Sequence, residues 1–418
     1  MTVLIAGAGI AGLGLGLSLH QIGVPFRIYE SVQTLAPLGV GINLQPNAVR
    51  ELMEMGLGEM LDRVGLRTRD YGFYSRTGRE IWTEPRGLEA GYDWPQYSVH
   101  RGKLQMALAE ALTDRAGPEC IVTDAAAVGF RTMDEGAVLM LRDGREVQGK
   151  LVIGADGIHS ALRAQMYPDE GAPIWNGAIL WRGTTQGPPF LSGASMILGG
   201  HDTQRIVCYP ITPPDPDTGL ATLNWIAELK VDPAQGWRRE DWNRAADISE
   251  FLPAFEDWNF DWLDVPGMIR GAQKVFEYPM VDRDPVESWT EGHVSLIGDA
   301  AHPTYPVGSN GASQAIMDGR VLGAKMIEHG VTAAALAAYE AEVRPRTTGV
   351  ALANRGAGPI AVLQTVEDRS GGVFERIEDV MSHRELADHA EAYKRIAGFD
   401  VAALNARAAL IDPAVYPV

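Results

Sequence analysis

Three glycines near the start of the chain, together with a later acid, have the spacing of a dinucleotide-binding site. Gly7, Gly9 and Gly12 follow a short apolar strand pattern and open a helix, and a second apolar strand pattern ends at Glu30. In such a unit the first glycine permits a tight turn, the second lets a pyrophosphate approach the backbone, and the third lets helix and strand pack closely. The helix N-terminus attracts phosphates, and Glu30 is placed to accept hydrogen bonds from both ribose hydroxyls. The pattern favours a dinucleotide over a plain packing turn, but it does not choose between NAD and FAD.

Two further motifs stand at the ends of apolar strand patterns. Residues 154–157 read Gly-Ala-Asp-Gly, and residues 298–302 read Gly-Asp-Ala-Ala-His, with Gly311 at the start of a later helix. Asp299 ends a buried strand, which is where α/β sheets place their ligand contacts, and the helix at Gly311 suits a ligand edge that gains negative charge. Taken singly, Asp299 is equally well explained as a helix N-cap and residues 154–157 as an ordinary β-turn. The three motifs together favour a ligand site.

The elements that must position these motifs predict an α/β protein with two units and a tail. Buried strand patterns run into each motif, whereas short alternating strands and most of the tryptophans occupy the middle of the chain. We expect a Rossmann-like dinucleotide domain with an inserted antiparallel β-sheet substrate domain, closed by C-terminal helices. The predicted pieces are 1–68, 100–172 and 286–355 for the first domain, 69–99 and 173–285 for the second, and 356–418 for a helical tail.

Composition excludes several classes of partner. The 418 residues carry a net charge of −18, which repels nucleic acid and anionic lipid. Two cysteines, Cys120 and Cys208, provide neither a disulfide framework nor a metal-ligand cluster, so no metal is predicted and a cytoplasmic location is expected. Residues 3–19 are apolar, but no Lys or Arg precedes them and glycines interrupt them, which argues against a targeting segment. No membrane span is expected, since no run of about 20 apolar residues is free of glycine breaks.

The three motifs, in this order, resemble the single-component FAD-dependent aromatic hydroxylases, the family of para-hydroxybenzoate and salicylate hydroxylases. The resemblance covers about residues 1–355 and is specific as a set. Four segments are similar to the members of that family that act on phenazine carboxylates: 37–43, 84–87, 278–285 and 310–316. The resemblance implies tightly but non-covalently bound FAD in the cleft between the two domains.

On the adenosine half of FAD the resemblance implies contacts from several parts of the chain. Glu30 is expected to hold the adenosine ribose, Arg101 to lie by the linker, and the backbone near Ala127 to meet the adenine. Asp156, with Arg163, belongs to a motif that the family uses for FAD and for transient nicotinamide binding. These roles add to the glycine turn of Gly7, Gly9 and Gly12.

On the flavin half the resemblance implies a second set of contacts. Asp299 is expected to bind the ribityl chain or the pyrophosphate. The flavin ring itself is expected to contact Gly41, Ile42, Gly311 and Ala312, with Pro306 shaping its pocket. The sequence departs from the family here, because Ser309-Asn310 stands where the family usually has Gly-Gln. At these two positions the resemblance therefore implies no specific contact to the flavin O2.

The resemblance also implies an activity. No second glycine fingerprint is present, so NAD(P)H is expected to bind transiently over the flavin and deliver hydride, after which O2 forms a C4a-hydroperoxide. The enzyme would then hydroxylate an electron-rich aromatic or N-heteroaromatic substrate, with or without decarboxylation. Alternatives are an epoxidase, a non-decarboxylating ring hydroxylase and a non-catalytic flavin-binding regulator. No side chain is predicted as a catalytic acid or base.

Substrate contacts are predicted from strand alternation. Arg205 and Tyr209 fall on one face of a strand, and Asn224 and Trp181 are expected to face the same cavity. Arg205 has the geometry to pair with a substrate carboxylate, although a surface arginine explains it equally well, and core packing explains Tyr209 better than ligand binding does. The expected partner is a small aromatic molecule, and the expected assembly is a monomer or homodimer.

Overall fold

The structure, a computed structural model, describes residues 2–232, 244–356, 360–388 and 400–418. Trp242, one of the tryptophans of the middle region, lies outside the described residues. The strands, in chain order, are β1 Val3–Ala6, β2 Phe26–Tyr29, β3 Gly41–Leu44, β4 Gly65–Thr68, β5 Asp70–Tyr74, β6 Glu80–Pro85, β7 Gln96–His100, β8 Ile121–Val122, β9 Ala127–Met133, β10 Gly136–Leu141, β11 Glu146–Gly149, β12 Leu151–Gly154, β13 Ile174–Gly187, β14 Ser195–His201, β15 Gln204–Pro210, β16 Ala221–Lys230, β17 Asn259–Phe260, β18 Leu263–Asp264, β19 Val275–Asp282, β20 Thr290–Glu291 and β21 Val294–Leu296. The α-helices are α1 Ile10–Gln21, α2 Pro46–Glu54, α3 Gly58–Val64, α4 Arg101–Ala116, α5 Ala161–Met166, α6 Val265–Arg270, α7 Gly311–His329, α8 Ala333–Arg355, α9 Ala361–Ser370 and α10 Val401–Ala406.

The first unit is built on a six-stranded sheet in the order β20-β21-β12-β1-β2-β8. Strand β1 lies between β12 and β2 and is parallel to both, and only the edge strand β20 is antiparallel. All four residues of β1 and all four of β12 are buried, as expected for strands covered on both faces. The predicted Rossmann-like α/β architecture is confirmed, and the three motifs follow β1, β12 and β21 at the same edge of this sheet.

Helices α1 and α7 approach each other closely because their facing residues are small. A Cβ on Gly319 would lie 2.7 Å from the backbone nitrogen of Leu15, and one on Gly14 would lie 3.7 Å from the Cα of Ile316. Glycines at both positions therefore let the backbones pack directly. This packing brings the N-terminal ends of α1 and α7 to the same crevice.

The inserted unit is a seven-stranded sheet in the order β19-β13-β16-β15-β14-β5-β6. All neighbours are antiparallel except β14 and β5, which are parallel. Its outer face carries an aromatic core in which Trp225, Phe255 and Trp258 are almost fully buried. Its inner face is turned towards the first unit, as the contact between Asn224 and Gly41 shows.

Strand β7 does not join the seven-stranded sheet. It pairs antiparallel with β3 and β4 in a small three-stranded sheet, and Tyr97 and Val99 are buried in the core of the first unit. Residues 96–99 therefore pack with the first unit, although the sequence assigned 69–99 to the substrate domain. The physical reason is that β7 leads directly into α4, which packs against α1.

The C-terminal part of the chain packs on both units. Leu363 and Val366 of α9 are buried against Phe73 and Leu198 of the inserted sheet. The last described segment crosses the first unit, where the carbonyl of Tyr416 accepts a 2.9 Å hydrogen bond from the side chain of Gln21. Helical structure in the described part of this tail is confined to α9, residues 383–388, α10 and 3-10 conformation at residue 360 and at 377–379. Among the described residues, none of the helices has the length and apolar character needed to cross a bilayer.

Candidate functional site

The glycine turn after β1 is open at one position and tightly packed at the other two. Gly7 has φ +103°, and a Cβ there would lie 2.5 Å from the carbonyl oxygen of Ala155. A Cβ on Gly12 would collide with the carbonyl oxygen of Gly7, whereas one on Gly9 would have nothing within 4 Å. Gly7 and Gly12 are therefore required by packing, and the space beside Gly9 is available to a ligand at the start of α1. This is the arrangement that a pyrophosphate needs.

Glu30 is held at the end of β2 by backbone donors. Its Oε2 accepts a 2.7 Å hydrogen bond from the N–H of Ala8, and its Oε1 accepts a 3.0 Å bond from the N–H of Val32. The N–H of Ala125 donates to the carbonyl of Glu30 at 2.8 Å, and Ala127 begins β9 two residues further on. Glu30 and Ala127, which are both predicted to meet the adenosine half, therefore lie close together.

Arg163 is part of the scaffold and does not face a ligand. Its Nη1 donates to the carbonyls of Ala300 and Ala301 at 3.1 and 2.7 Å, and its Nη2 pairs with Glu170 at 2.5 Å. Asp156 accepts the N–H of Ala161 at 2.8 Å, and burial raises the pKa of its carboxyl. Arg163 therefore fixes the turn that carries Asp299, whereas Asp156 holds the start of α5, and an FAD contact by Asp156 stays a prediction.

Asp299 lies where the two helix N-termini meet. Gly298 has φ +59°, and a Cβ there would lie 2.8 Å from the Cβ of Ala11 and 3.6 Å from that of Ala315. The Asp299 side chain is open to the crevice, but the surrounding walls raise the pKa of its carboxyl by desolvation, which nearby His302 and Arg101 partly oppose. A carboxylate here suits hydroxyl groups of a ribityl chain.

Asp318, which the sequence analysis did not identify, supports that turn. Its Oδ2 accepts the N–H of Gly298 at 2.7 Å and lies 2.6 Å from the Nε2 of His302. Burial alone would lower the pKa of His302, but the fully buried Asp318 and, to a smaller extent, Asp299 together raise this pKa above its ordinary value. No local pattern in α7 distinguishes Asp318, because its partners are sixteen or more residues away in sequence.

The N-terminus of α7 presents unused polar atoms. Asn310 is 2% exposed, and neither its Oδ1 nor its Nδ2 has a partner in the described structure. A Cβ on Gly311 would meet nothing within 4 Å, which leaves room for a ring at this helix end. Ser309 has φ +53°, a conformation that favours the glycine that the family usually has there. The Ser-Asn departure therefore keeps both the turn and a side-chain amide beside the open space.

The loop before β3 is held against the inserted sheet. The N–H of Gly41 donates to Asn224 Oδ1 at 2.6 Å, and the carbonyl of Gly41 accepts a 2.9 Å bond from Arg182 Nη2. Arg101 lies against this loop, because a Cβ on Gly39 would be 2.8 Å from its Nε. The backbone at Gly41 is thereby fixed against the inner face of the inserted sheet.

Two of the four predicted substrate residues are not placed to contact substrate. Trp181 lies on the outer face of the sheet, where its ring stacks on Phe251 with centroids 4.8 Å apart. Arg205 is on the inner face but is 4% exposed and forms an ion pair with the buried Glu228. The expectations that Trp181 shares a cavity with Asn224 and that Arg205 binds a substrate carboxylate are therefore corrected.

Asn224 and Tyr209 are directly opposite each other on the inner face of neighbouring strands. A substrate contact by either one stays a prediction. Asn224 pairs with Thr184 of β13. Arg182, which was not predicted as a site residue, lies two residues before Thr184 and on the same inner face. The only available signal was strand alternation, and that depends on a register that the sequence does not reveal.

The crevice as a whole fits FAD. The open position at Gly9 and the start of α1 suit the pyrophosphate, Glu30 and Asp299 supply acceptors for hydroxyl groups, and the space at Gly311 suits the ring. Comparison with known proteins agrees with this fit, because the sequence profile described as "FAD binding domain" matches residues 1–172 and 274–353. The chain belongs to the FAD-binding domain family.

Relatives within this family are monooxygenases of aromatic compounds. The chain is 41% identical to phenazine 1,6-dicarboxylic acid hydroxylase PhzS of Lysobacter antibioticus over 84% of this chain and 89% of the relative. It is 30% identical to 3-amino-4-hydroxybenzoate 2-monooxygenase PtmB3 of Streptomyces platensis over 97% of this chain and 98% of the relative. The chain is accordingly an FAD-dependent aromatic monooxygenase that uses NAD(P)H and O2.

Solved structures agree on the fold. Klebsiella pneumoniae HpxO, complexed with FAD and uric acid, superposes with a TM-score of 0.72 at 22% identity, covering 95% of this chain and 93% of that one. CtdE in complex with FAD and substrate superposes with a TM-score of 0.74 at 18% identity, covering 96% and 99%. At these identities the likeness concerns the fold alone.

Proposed function

We propose that this flavin-dependent monooxygenase hydroxylates an N-heteroaromatic carboxylic acid of the phenazine class. The observation that carries the proposal is the 41% identity to a phenazine dicarboxylate hydroxylase along 89% of that relative's length. Bound FAD would supply the redox chemistry, taking hydride from NAD(P)H and activating O2. The contribution of this chain is to bind the substrate, orient it and exclude water.

The inner face of the seven-stranded sheet supports a substrate of this size. An apolar strip runs across four adjacent strands, with Tyr278 on β19, Leu180 on β13, Ile226 on β16 and Val207 on β15. Because neighbouring strands are about 4.8 Å apart, this strip spans about 14 Å, which is wide enough for a flat tricyclic molecule. Such a strip also keeps water from the flavin, which favours oxygen transfer over release of hydrogen peroxide.

A second candidate substrate is a single-ring aminohydroxybenzoate. Two relatives that act on 3-amino-4-hydroxybenzoate are 30% and 31% identical and cover at least 90% of this chain. For either substrate, hydroxylation proceeds with loss of the carboxylate as CO2 or at another ring position with the carboxylate retained. These two outcomes are separate reactions with different products.

The test is substrate-stimulated NAD(P)H oxidation by FAD-loaded protein, with the product identified by mass spectrometry. Phenazine-1,6-dicarboxylate and phenazine-1-carboxylate should each stimulate oxidation and yield a hydroxylated product, and NADH and NADPH are compared in parallel. A carboxyl-labelled substrate distinguishes the two reactions, because only decarboxylative hydroxylation releases labelled CO2. Stimulation by 3-amino-4-hydroxybenzoate alone would replace the phenazine proposal with the second candidate.

A matched pair of variants tests the apolar strip. Leu180→Trp fills the inner face, whereas Ile179→Trp places the same side chain on the outer face one residue away. The Leu180 variant should lose activity towards the tricyclic acids far more than towards a single-ring acid, and the Ile179 variant should keep the wild-type preference. Equal losses in both variants would show that the strip does not receive the substrate.

A further inference from the structure

Arg182 is a partly buried cation on the wall that faces the flavin crevice. It extends from β13 on the inner face of the sheet, and its Nη2 donates to the carbonyl of Gly41 at 2.9 Å. Its guanidinium also lies 5.7 Å from the centroid of the Tyr278 ring, which belongs to the apolar strip. The cation is therefore placed at the edge of the surface that would receive the aromatic ring.

The most deeply buried arginines are neutralised by acids, whereas the partly buried Arg182 has no acidic partner among the described residues. Four arginine side chains that are at most 5% exposed each form a salt bridge, in the pairs Arg50–Glu54, Arg163–Glu170, Arg205–Glu228 and Arg320–Glu51. Among the residues that the structure describes, no salt bridge joins Arg182 to a carboxylate, and its Nε has no hydrogen-bond partner. A cation removed from water without a counter-ion is costly, so the arrangement needs an anion from elsewhere.

The surroundings of Arg182 reinforce this need. Burial lowers the pKa of its guanidinium, Tyr209 and Tyr278 partly oppose this, and the positive charge of Arg101 lowers it again, so burial and Arg101 both disfavour the charge. Tyr209 and the Tyr278 ring are the nearest compensating groups, and neither is an ionised acid at neutral pH since burial raises the pKa of both hydroxyls. An anionic ligand would relieve the desolvation and the repulsion together.

Two neighbours offer further hydrogen-bond capacity. Tyr209 is 2% exposed and shares a side-chain hydrogen bond with Arg182. Asn224 is fully buried, and its Nδ2 has no partner although its Oδ1 accepts the N–H of Gly41. We propose that Arg182, with Asn224 and Tyr209 beside it, binds the carboxylate of the aromatic substrate and so selects acids over neutral analogues.

This inference rests on the proposed function for the identity of the substrate ring. The expectation that the substrate carries a negative charge comes from the surroundings of Arg182. A guanidinium at this position also has the chemistry to donate to a carbonyl oxygen of the flavin. The two roles differ in their consequence, because a flavin contact changes FAD retention and the flavin spectrum, whereas a substrate contact changes only the affinity for acids. The experiment therefore measures both.

The test compares Arg182→Gln with wild type, using phenazine-1-carboxylate and its neutral isostere phenazine-1-carboxamide as probes. Dissociation constants are obtained from the change in flavin absorbance or fluorescence on titration of FAD-loaded protein. Arg270→Gln is the matched control, since Arg270 is an exposed arginine at the end of α6 in the same unit and pairs with Glu256. Arg182→Lys keeps the charge but loses the planar fork.

Arg182→Gln should weaken phenazine-1-carboxylate binding roughly ten- to a hundredfold, the range expected when a charge-assisted hydrogen bond is lost. Binding of the carboxamide should change less than about threefold, FAD content should not change, and Arg182→Lys should recover part of the preference for the acid. Arg270→Gln should match wild type for both probes.

An equal loss for both probes, or a loss of FAD and an altered flavin spectrum, would overturn the proposal. The same titrations with 3-amino-4-hydroxybenzoate and its amide separate the anchor from the identity of the ring. If the wild type binds only this single-ring acid and Arg182→Gln abolishes the preference, the anchor stands and the phenazine substrate is refuted. A wild type that prefers the amides in both pairs would refute the anchor.

Discussion

The end of α8 is joined to the inserted sheet by an ion pair whose removal should be strongly destabilising. Arg355 Nε and Nη2 bind the two carboxylate oxygens of Asp282 at 2.7 and 3.0 Å, and Asp282 is fully buried at the end of β19. Arg355→Gln leaves this carboxylate with Tyr305 as its main remaining partner. Breaking a buried ion pair in this way costs about 3–5 kcal/mol. Urea unfolding followed by tryptophan fluorescence measures the change.

Asp282→Asn provides the control for this prediction. Leaving Arg355 without Asp282 costs less free energy than leaving Asp282 without Arg355, since Arg355 is 24% exposed and keeps a 2.6 Å bond to Asp284. We expect Asp282→Asn to lower the free energy of unfolding by about 1–2 kcal/mol. The double variant should resemble Asp282→Asn, because Arg355→Gln costs little once the carboxylate is gone. Additive losses in the double variant would refute the view that a stranded buried charge is the cause.

The pH dependence gives an independent check. Burial raises the pKa of Asp282, and Arg355 opposes that rise, so Arg355→Gln should raise this pKa further. An acid whose pKa is higher in the folded than in the unfolded state stabilises the fold fully below its unfolded-state pKa. This contribution to the free energy of unfolding is lost as the pH rises through the folded-state pKa. The variant should therefore be less destabilised at about pH 5 than at about pH 8. A loss of the same size at both values would contradict the electrostatic explanation.

Three other substitutions test the site and its support. Glu30→Ala should weaken FAD binding roughly tenfold or more, because hydrogen bonds to a charged group are lost, and the flavin-to-protein absorbance ratio after gel filtration reports it; unchanged retention would place the ribose elsewhere. Ser309→Gly should raise the free energy of unfolding by about 1 kcal/mol, since Ser309 has φ +53°, and a lower melting temperature would be contrary to this. Arg205→Ala should destabilise the fold by about 3–5 kcal/mol, since it strands the buried Glu228, whereas an unchanged melting temperature with a raised KM for an aromatic acid would restore Arg205 as the substrate anchor.

The cofactor half of the site was accessible from sequence because its signals are local. Gly7 and Gly9 lie in the turn that follows the fully buried β1, and Gly12 lies in the first turn of α1. Asp299 follows β21 in the same way. In each case the strand, the turn and the helix start are contiguous, so a short pattern describes the whole arrangement. The roles assigned to individual residues stay predictions until FAD binding is measured.

The support of the site was not accessible, because it depends on contacts between distant segments. Asp318 holds the N–H of Gly298 and the ring of His302 from the second turn of α7, and nothing near it in sequence indicates this. The resemblance placed Arg163 in a ligand-binding motif but did not indicate that it holds two carbonyls more than a hundred residues away. Such residues resemble ordinary helix residues until the elements are packed.

The substrate face shows why strand alternation alone was insufficient. Alternation correctly put Arg205 and Tyr209 on one face of β15, because side chains on a strand alternate strictly. It could not relate β13 to β15, since that relation requires the pairing of Thr184 with Asn224 across β16. A shift of one residue in that register would exchange Trp181 and its neighbour between the two faces.

Two arginines on that inner face illustrate what decides a ligand role. Arg205 and Arg182 are both cations on the wall of the inserted sheet, and composition and spacing do not separate them. They differ in their partners, because the charge of Arg205 is already balanced by Glu228, whereas that of Arg182 is met only by a backbone carbonyl and aromatic side chains. A balanced ion pair gains little from a further anion, while an unbalanced cation in a desolvated crevice gains the full interaction. Arg182 is therefore a better candidate than Arg205 to bind an acid, chiefly because no acidic side chain balances its charge and less because it lies near the crevice.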